Sequence, residues 1–522
     1  MDEYNDPYQP DQRPIVRDDQ LPDDIEGYLP ARGRRLKPGT EDRVPDPGSR
    51  KAGWITLLLL IPALAFVVFT QQSSVIKATA EAEASAQEIV PSGRANTFGL
   101  LSRFTVKFHH LMMDIDENQG ATALEDAGYM DAIDDMSVSP HEMLRGAIVA
   151  AEVVSEEEAQ DRLSYTIIYL SENSEQLEPE YRRAVYEDAH LIANIYDGIE
   201  LTDEERQRLI DHHGWHGKLA LTYGKNNDDP ERRDLVGGGG GLLAFLVLFG
   251  LIILVALLGG FGLLITGIIL LAMGKLKMRF KPPAVGGSVY LETFAVFVGM
   301  FMLLQITTDA LVGTLPESVL YGMQWLVVLS IFWPMVRGVS LGRWRRDMGL
   351  VAPEGVFKEI WFGLLTYLAC VPLYFAAAAV SLVLIAMRSL LFESNEFGET
   401  AVEAPMSNPI IELIESSDFV TVAVLGSLMM VWAPLVEECI MRGALFRHFR
   451  SRFIFIFSGL FSAVLFGFLH QYDMLMLVPI ITLGWAFAFM REWRDSLVGC
   501  MTAHALHNST IFLMIVWLVT LV

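Results

Sequence analysis

The feature that most constrains this chain is a series of nine apolar runs: Trp54–Thr70, Leu242–Met273, Leu291–Val312, Met323–Val336, Val356–Met387, Phe419–Val436, Phe453–Leu469, Met474–Met490 and Leu497–Leu521. A bilayer core about 30 Å thick is crossed by about 17–25 apolar residues in a helix, whose backbone satisfies its own hydrogen bonds. Composition agrees with that reading: of 522 residues 52% are hydrophobic and 20% charged, and the mean hydropathy is +0.35. Soluble domains are seldom so apolar. The expected fold is therefore an all-α polytopic helical membrane bundle of about nine spans.

The formal charge is −24, and it is unevenly spread. Between Gln71 and Gly240 there are 33 acidic residues against 14 basic ones. No region offers the basic surface that phosphate neutralisation needs, so nucleic acid is excluded as a partner. The three cysteines, Cys370, Cys439 and Cys500, lie in or beside apolar runs, so no disulfide framework holds the acidic region.

These shifts divide the chain into five parts. Residues 1–53, with eight prolines and mixed charges, read as a disordered tail. Residues 54–70 form a first span. Residues 71–240 form an acidic inserted domain in which Ser155–Leu170, Glu178–Tyr196 and Asp203–Tyr223 show helical spacing, ending in five glycines, Gly237–Gly241, that read as a flexible tether. Residues 241–290 hold a second span and a basic loop, and residues 291–522 the remaining spans. In the second span Gly259, Gly260 and Gly262 are placed to bend the helix. Lys and Arg clusters follow the even-numbered spans (Lys275–Lys281, Arg337–Arg346, Arg442–Arg452, Arg491–Arg494), whereas acids follow the odd-numbered ones, as between Glu393 and Asp418. By the positive-inside rule the N-terminal tail lies in the cytoplasm and the 71–240 domain outside it, in a plasma membrane protein.

Ionisable residues within apolar runs cost about 2.5–3.5 kcal/mol each on insertion scales, so they are candidates for function. Three groups stand out: Glu437-Glu438-Cys439-Ile440-Met441-Arg442, Phe466-Gly467-Phe468-Leu469-His470, and His504-Ala505-Leu506-His507-Asn508. Glu438 and Arg442 are four apart, where an ion pair forms on one helix face, and Glu437 is left on an adjacent face. At 1.5 Å per residue from turns near Ser451 and Trp493, Glu437, His470, His504 and Asn508 lie at overlapping depths of roughly 17–28 Å. One intramembrane site is therefore feasible.

The order and spacing of these groups, E-E-x-x-x-R, then F-x-x-x-H, then H-x-x-x-N, resemble the CAAX protease and bacteriocin-processing (CPBP, or ABI) family of membrane endopeptidases. The resemblance covers roughly Leu291 to Leu521. It implies that Glu437 activates a water with help from His470, that His504 and Asn508 stabilise the oxyanion, and that Glu438, Arg442 and Phe466 support them. It implies no required cofactor. The family has also been described as metal-dependent, and Glu437, His470 and His504 are the alternative zinc set. The implied partners are a membrane-associated protein or peptide substrate and the lipid bilayer.

Other chemistries fit less well. No H-E-x-x-H occurs, since His141-Glu142 is followed by Met143-Leu144-Arg145, and Ser458 and Ser462 lack a nucleophile-elbow context. His109-His110 and His212–His216 read as ordinary surface histidines, and Cys439 as a packing residue. The competing functions are a catalytically idle scaffold of the same family and a transporter, for which no inverted halves are evident.

Overall fold

The computed structural model describes residues 44–85, 97–115, 129–137, 139–392, 411, 413, 414, 417–470 and 472–521. Most of the expected disordered tail, and most of the acidic stretch from 393 to 418, lie outside them. Among the described residues every regular element is a helix, and one isolated bridge joins Pro45 to Ala284.

Among the described residues eight helices are long and apolar enough to cross a membrane: Arg50–Thr70, Pro230–Ala272, Val289–Leu311, Glu317–Val336, Val356–Arg388, Phe419–Arg450, Met474–Arg494 and Val498–Leu521. They correspond to eight of the nine apolar runs. The seventh run is the correction. Its helix, Phe455–Phe468, has 14 residues. At 1.5 Å per residue it rises roughly 21 Å, short of the roughly 30 Å of a hydrocarbon core. The nine runs keep their ordinal numbers below. Large apolar side chains are left exposed along these helices, such as Val247, Leu251, Val255 and Leu258 on the second. That surface is suited to lipid rather than water. The chain is an integral multi-pass membrane protein.

Sequence accounts for the irregular turns. Pro434 has no backbone N–H and its ring crowds the carbonyl four residues earlier. A wide π-helical turn over Leu428–Trp432 precedes it, and a second over Cys439–Leu445 follows the glutamate pair. In the fifth span Pro372 likewise cannot bond the carbonyl of Leu368, and Gly260 of the second span packs there: a Cβ on Gly260 would stand 2.4 Å from that oxygen. The glycines expected to bend the second span thus serve close packing in a continuous helix, Gly239–Ala272.

One end of the bundle is tied by charge. Arg447 bridges Asp46 (2.7 Å) and Asp347 (3.0 Å), Arg450 holds Glu492 (2.8 Å), and Arg494 holds Glu359 (2.8 Å). Ser288 and Val289 donate their backbone N–H groups to Pro47, so the residues just before the first span are strapped onto the third. The last residues assigned to the tail are therefore ordered.

The inserted domain has its own core, running from Phe98 and Val106 to Leu235 and Val236. Ser139, Ser155 and Thr202 cap its helices, the last in a reciprocal capping box with Glu205. The expected segment Asp203–Tyr223 is two helices, Asp203–His213 and Trp215–Leu221, because Gly214 at φ +54° breaks the run. The five glycines are not the loose tether expected. Gly239 starts the second span, and a Cβ there would lie 2.6 Å from Leu111 Cβ and 2.7 Å from the Lys107 carbonyl. Lys107 Nζ donates to the Leu521 carbonyl at 3.2 Å, tying the domain to the end of the ninth span. Gly239→Leu should therefore destabilise the full-length protein by the ~1–3 kcal/mol typical of overpacking. Thermal unfolding in detergent checks this against Gly240→Leu, whose added Cβ meets nothing within 4 Å and should leave the midpoint unlowered. Equal behaviour of the two variants would restore the loose tether.

Candidate active site

The three polar groups meet. The sixth span presents Glu437 and Glu438 on neighbouring faces, and the ninth brings His504 to both. Glu438 is fully buried, and its Oε1 accepts from Arg442 Nη1 at 2.9 Å and from His504 Nδ1 at 2.9 Å. Arg442, also fully buried, donates Nη2 to the Gly484 carbonyl at 3.0 Å, and its guanidinium lies over Phe466 at 4.6 Å and Phe487 at 5.3 Å. Gly484 makes this fit: a Cβ there would stand 3.1 Å from Ala463 Cβ and 3.3 Å from Arg442 Nη2.

Glu437 is used differently. Its side chain is 19% exposed, its Oε2 has no hydrogen-bond partner among the described residues, and that oxygen is 3.8 Å from His504 Nε2. It lines a cavity of about 110 Å³ together with His470, Phe466, Trp432, Phe297 and Phe301. His470 Nδ1 bonds the Phe466 carbonyl at 2.8 Å, so that nitrogen carries the proton and Nε2 is the acceptor in the neutral ring. Phe466 packs edge-on against His470 at 4.7 Å. Asn508 does not join the cavity wall directly. Its Nδ2 donates to the Met429 carbonyl at 2.9 Å, inside the wide turn that Pro434 imposes, and so pins the ninth span to the sixth. His507 faces away, toward Tyr367 (3.2 Å) and Tyr374 of the fifth span.

The sequence expectation that Glu438 and Arg442 form a supporting pair matches the geometry but lacked its third member, His504. Phe297, Phe301 and Trp432 were also missed, since aromatic residues in apolar runs carry no motif. Gly484 gave one signal, a glycine inside a span.

The alternative zinc set fits poorly. Groups of three ligating side chains whose atoms lie within 4.8 Å of one another occur among the described residues at His141, Asp188 and His213, not at Glu437, His470 and His504. The first cluster, in the inserted domain, is itself unlike a metal centre. The rings of His141 and His213 stack at 4.3 Å and 12°, so their in-plane lone pairs run side by side. Asp188 is already engaged by Arg208 Nε at 2.7 Å and His212 Nδ1 at 2.6 Å. Burial alone would raise the Asp188 carboxyl, but its contacts with His212, His213 and Arg208 hold it below the usual range, while burial pushes His141 well below the ordinary imidazole value. The expected surface histidines His109, His213 and His216 are buried instead, His213 within this network and His216 against Phe98 and Trp215.

The arrangement is that of a helical membrane protein with a buried polar centre in its bundle. Residues 419–510 match the family model of Rce1-like type II CAAX prenyl endopeptidases, and this stretch is what the chain shares with that family. The match contains Glu437, Glu438, Arg442, His470, His504 and Asn508. No curated protein and no solved structure matches the chain.

Breaking a buried ion pair from one side typically costs about 3–5 kcal/mol, because the remaining charge is stranded. Glu438→Ala leaves Arg442 and His504 Nδ1 without their shared acceptor, so the variant should show a large drop in thermal midpoint or fail to accumulate. A Glu438→Ala protein as stable as the parent would show that the network carries no structural role.

Proposed function

We propose that this protein is an intramembrane endopeptidase that hydrolyses peptide bonds of membrane-associated proteins or peptides. The observation that carries the reading is the division of labour between adjacent glutamates: Glu438 is consumed by Arg442 and His504, while Glu437 Oε2 stands unpaired at the cavity, 3.8 Å from His504 Nε2. A carboxylate so placed can take a proton from water as that water attacks the scissile carbonyl, and can return it to the departing amine. His470, with its Nδ1 proton fixed on the Phe466 carbonyl, keeps Nε2 as an acceptor that holds the attacking water.

The oxyanion needs donors placed in advance. His504 has Nδ1 engaged by Glu438, so Nε2, when protonated, is the nitrogen that meets the developing charge. Asn508, held on the Met429 carbonyl outside the cavity wall, supports this role by positioning the ninth span that carries His504. The aromatic side chains Phe297, Phe301 and Trp432 around the cavity suit an apolar residue beside the scissile bond. No step requires a metal, and the ligand geometry of Glu437, His470 and His504 does not favour one. We place the basic end and the N-terminal tail in the cytoplasm of a cell whose plasma membrane holds the protein, on the positive-inside rule.

The test is Glu437→Gln, which keeps the side chain's shape and removes the base. Cleavage of a peptide library by the purified full-length protein should fall by about 10²–10⁴, the usual contribution of one general base, with the thermal midpoint preserved. Cleavage at the parental rate by a folded Glu437→Gln protein would remove Glu437 from the chemistry.

A further inference from the structure

A second cavity, of about 360 Å³, lies at the basic end between the first and third spans, far from the glutamates in sequence and lined by none of the residues of the catalytic cavity. Its size falls within the roughly 300–1,000 Å³ of small-molecule sites. Its walls are apolar and its end is charged. Ile55 and Leu59 of the first span form one wall and Ala295 and Val296 of the third the other, while Glu292, Trp333 and Arg337 close the end. Ile55 and Leu59 are largely exposed, so the groove opens sideways to where acyl chains lie.

The charged end is built rather than incidental. Glu292 is engaged on both oxygens: Oε1 accepts from Ser288 Oγ at 2.7 Å, and Oε2 accepts from Trp333 Nε1 at 3.1 Å and Arg337 Nε at 2.9 Å. Arg337 is thereby held by one edge. Neither of its Nη atoms has a protein partner among the described residues, and its side chain is 44% exposed. The free edge of a guanidinium is a fork matched to phosphate oxygens. Arg50 and Lys51, both exposed at the start of the first span, add positive charge at the same level. Trp333 supplies the amphipathic ring that favours the headgroup depth of a bilayer.

We propose that this groove binds an anionic glycerophospholipid of the leaflet at the basic end, its phosphate on the free edge of Arg337 and an acyl chain between the first and third spans. A headgroup alone would leave the apolar walls unfilled, and a neutral lipid would leave the extra positive charge unanswered. The site bridges the first span to the bundle and is independent of the proposed peptidase reading.

Native mass spectrometry of the full-length protein in detergent tests it, with dioleoyl phosphatidylglycerol, dioleoyl phosphatidylcholine and glycerol 3-phosphate as probes. The first lipid bound should be phosphatidylglycerol by about fivefold over phosphatidylcholine, the contribution of one basic residue at a membrane surface. Arg337→Gln should weaken both lipids, since each carries the phosphate, and the double variant Arg50→Gln, Lys51→Gln should abolish the preference. Ala295→Phe, which fills the groove and leaves the Glu292–Arg337 pair intact, should weaken both lipids even if Arg337→Gln proves unstable. Equal binding of the two lipids by the parent protein overturns the proposal, as does unchanged lipid binding by Ala295→Phe. Displacement of phosphatidylglycerol by equimolar glycerol 3-phosphate would identify a phosphate site without a chain, and dimers lost in Ala295→Phe would identify a second copy as the occupant; either result overturns it as well.

Discussion

The bundle depends on one buried constraint: a guanidinium, a carboxylate and an imidazole held together inside an apolar protein. Arg442 and Glu438 are both fully buried, and His504 completes the set from another helix. Taking such charges out of water is costly, and the cost is offset only where geometry is good and the remaining donors are satisfied. Here Arg442 uses Glu438, the Gly484 carbonyl and two aromatic faces at once. That requirement fixes the sixth, eighth and ninth spans relative to one another. The neighbouring glutamate then falls at the cavity as a consequence, because residues adjacent on a helix point about 100° apart.

Imperfections in the helices follow from the same need. Pro434 widens the turn before the glutamates and frees backbone carbonyls, and Asn508 donates to one of them. A polar residue conspicuous in the sequence as a catalytic candidate is thus also a brace for irregular backbone. Wide turns of this kind are common at functional sites.

Much of the bundle could be read from the sequence because apolar runs in a bilayer admit one local answer, a helix. The pair Glu438–Arg442 was legible for a similar reason, since residues four apart share a helix face. What was missed depended on contacts between distant segments. His504 as the third member of the buried network, Gly484 as the carbonyl under Arg442, and Phe297 and Phe301 at the cavity have no local periodicity that marks them. The seventh run overstated its helix, since residues such as Phe453 and Leu469 are apolar without being helical. The glycines were misread for the opposite reason: five in a row suggest freedom, but Gly239 is needed because the Thr97–Ile115 helix crosses too closely to admit a side chain. The inserted domain is consequently seated on the second and ninth spans, and the ninth is the helix that carries His504.

The central claim is that Glu438 and His504 act as one unit. A double-mutant cycle on the unfolding free energy of the full-length protein in detergent, built from Glu438→Gln, His504→Gln and the double variant, measures that directly. Residues sharing one buried network typically couple by about 0.5–3 kcal/mol, and a coupling in that range is predicted here. Additive effects of the two substitutions would contradict the account, since they would mean that the ninth span does not depend on the sixth for the position of its histidine.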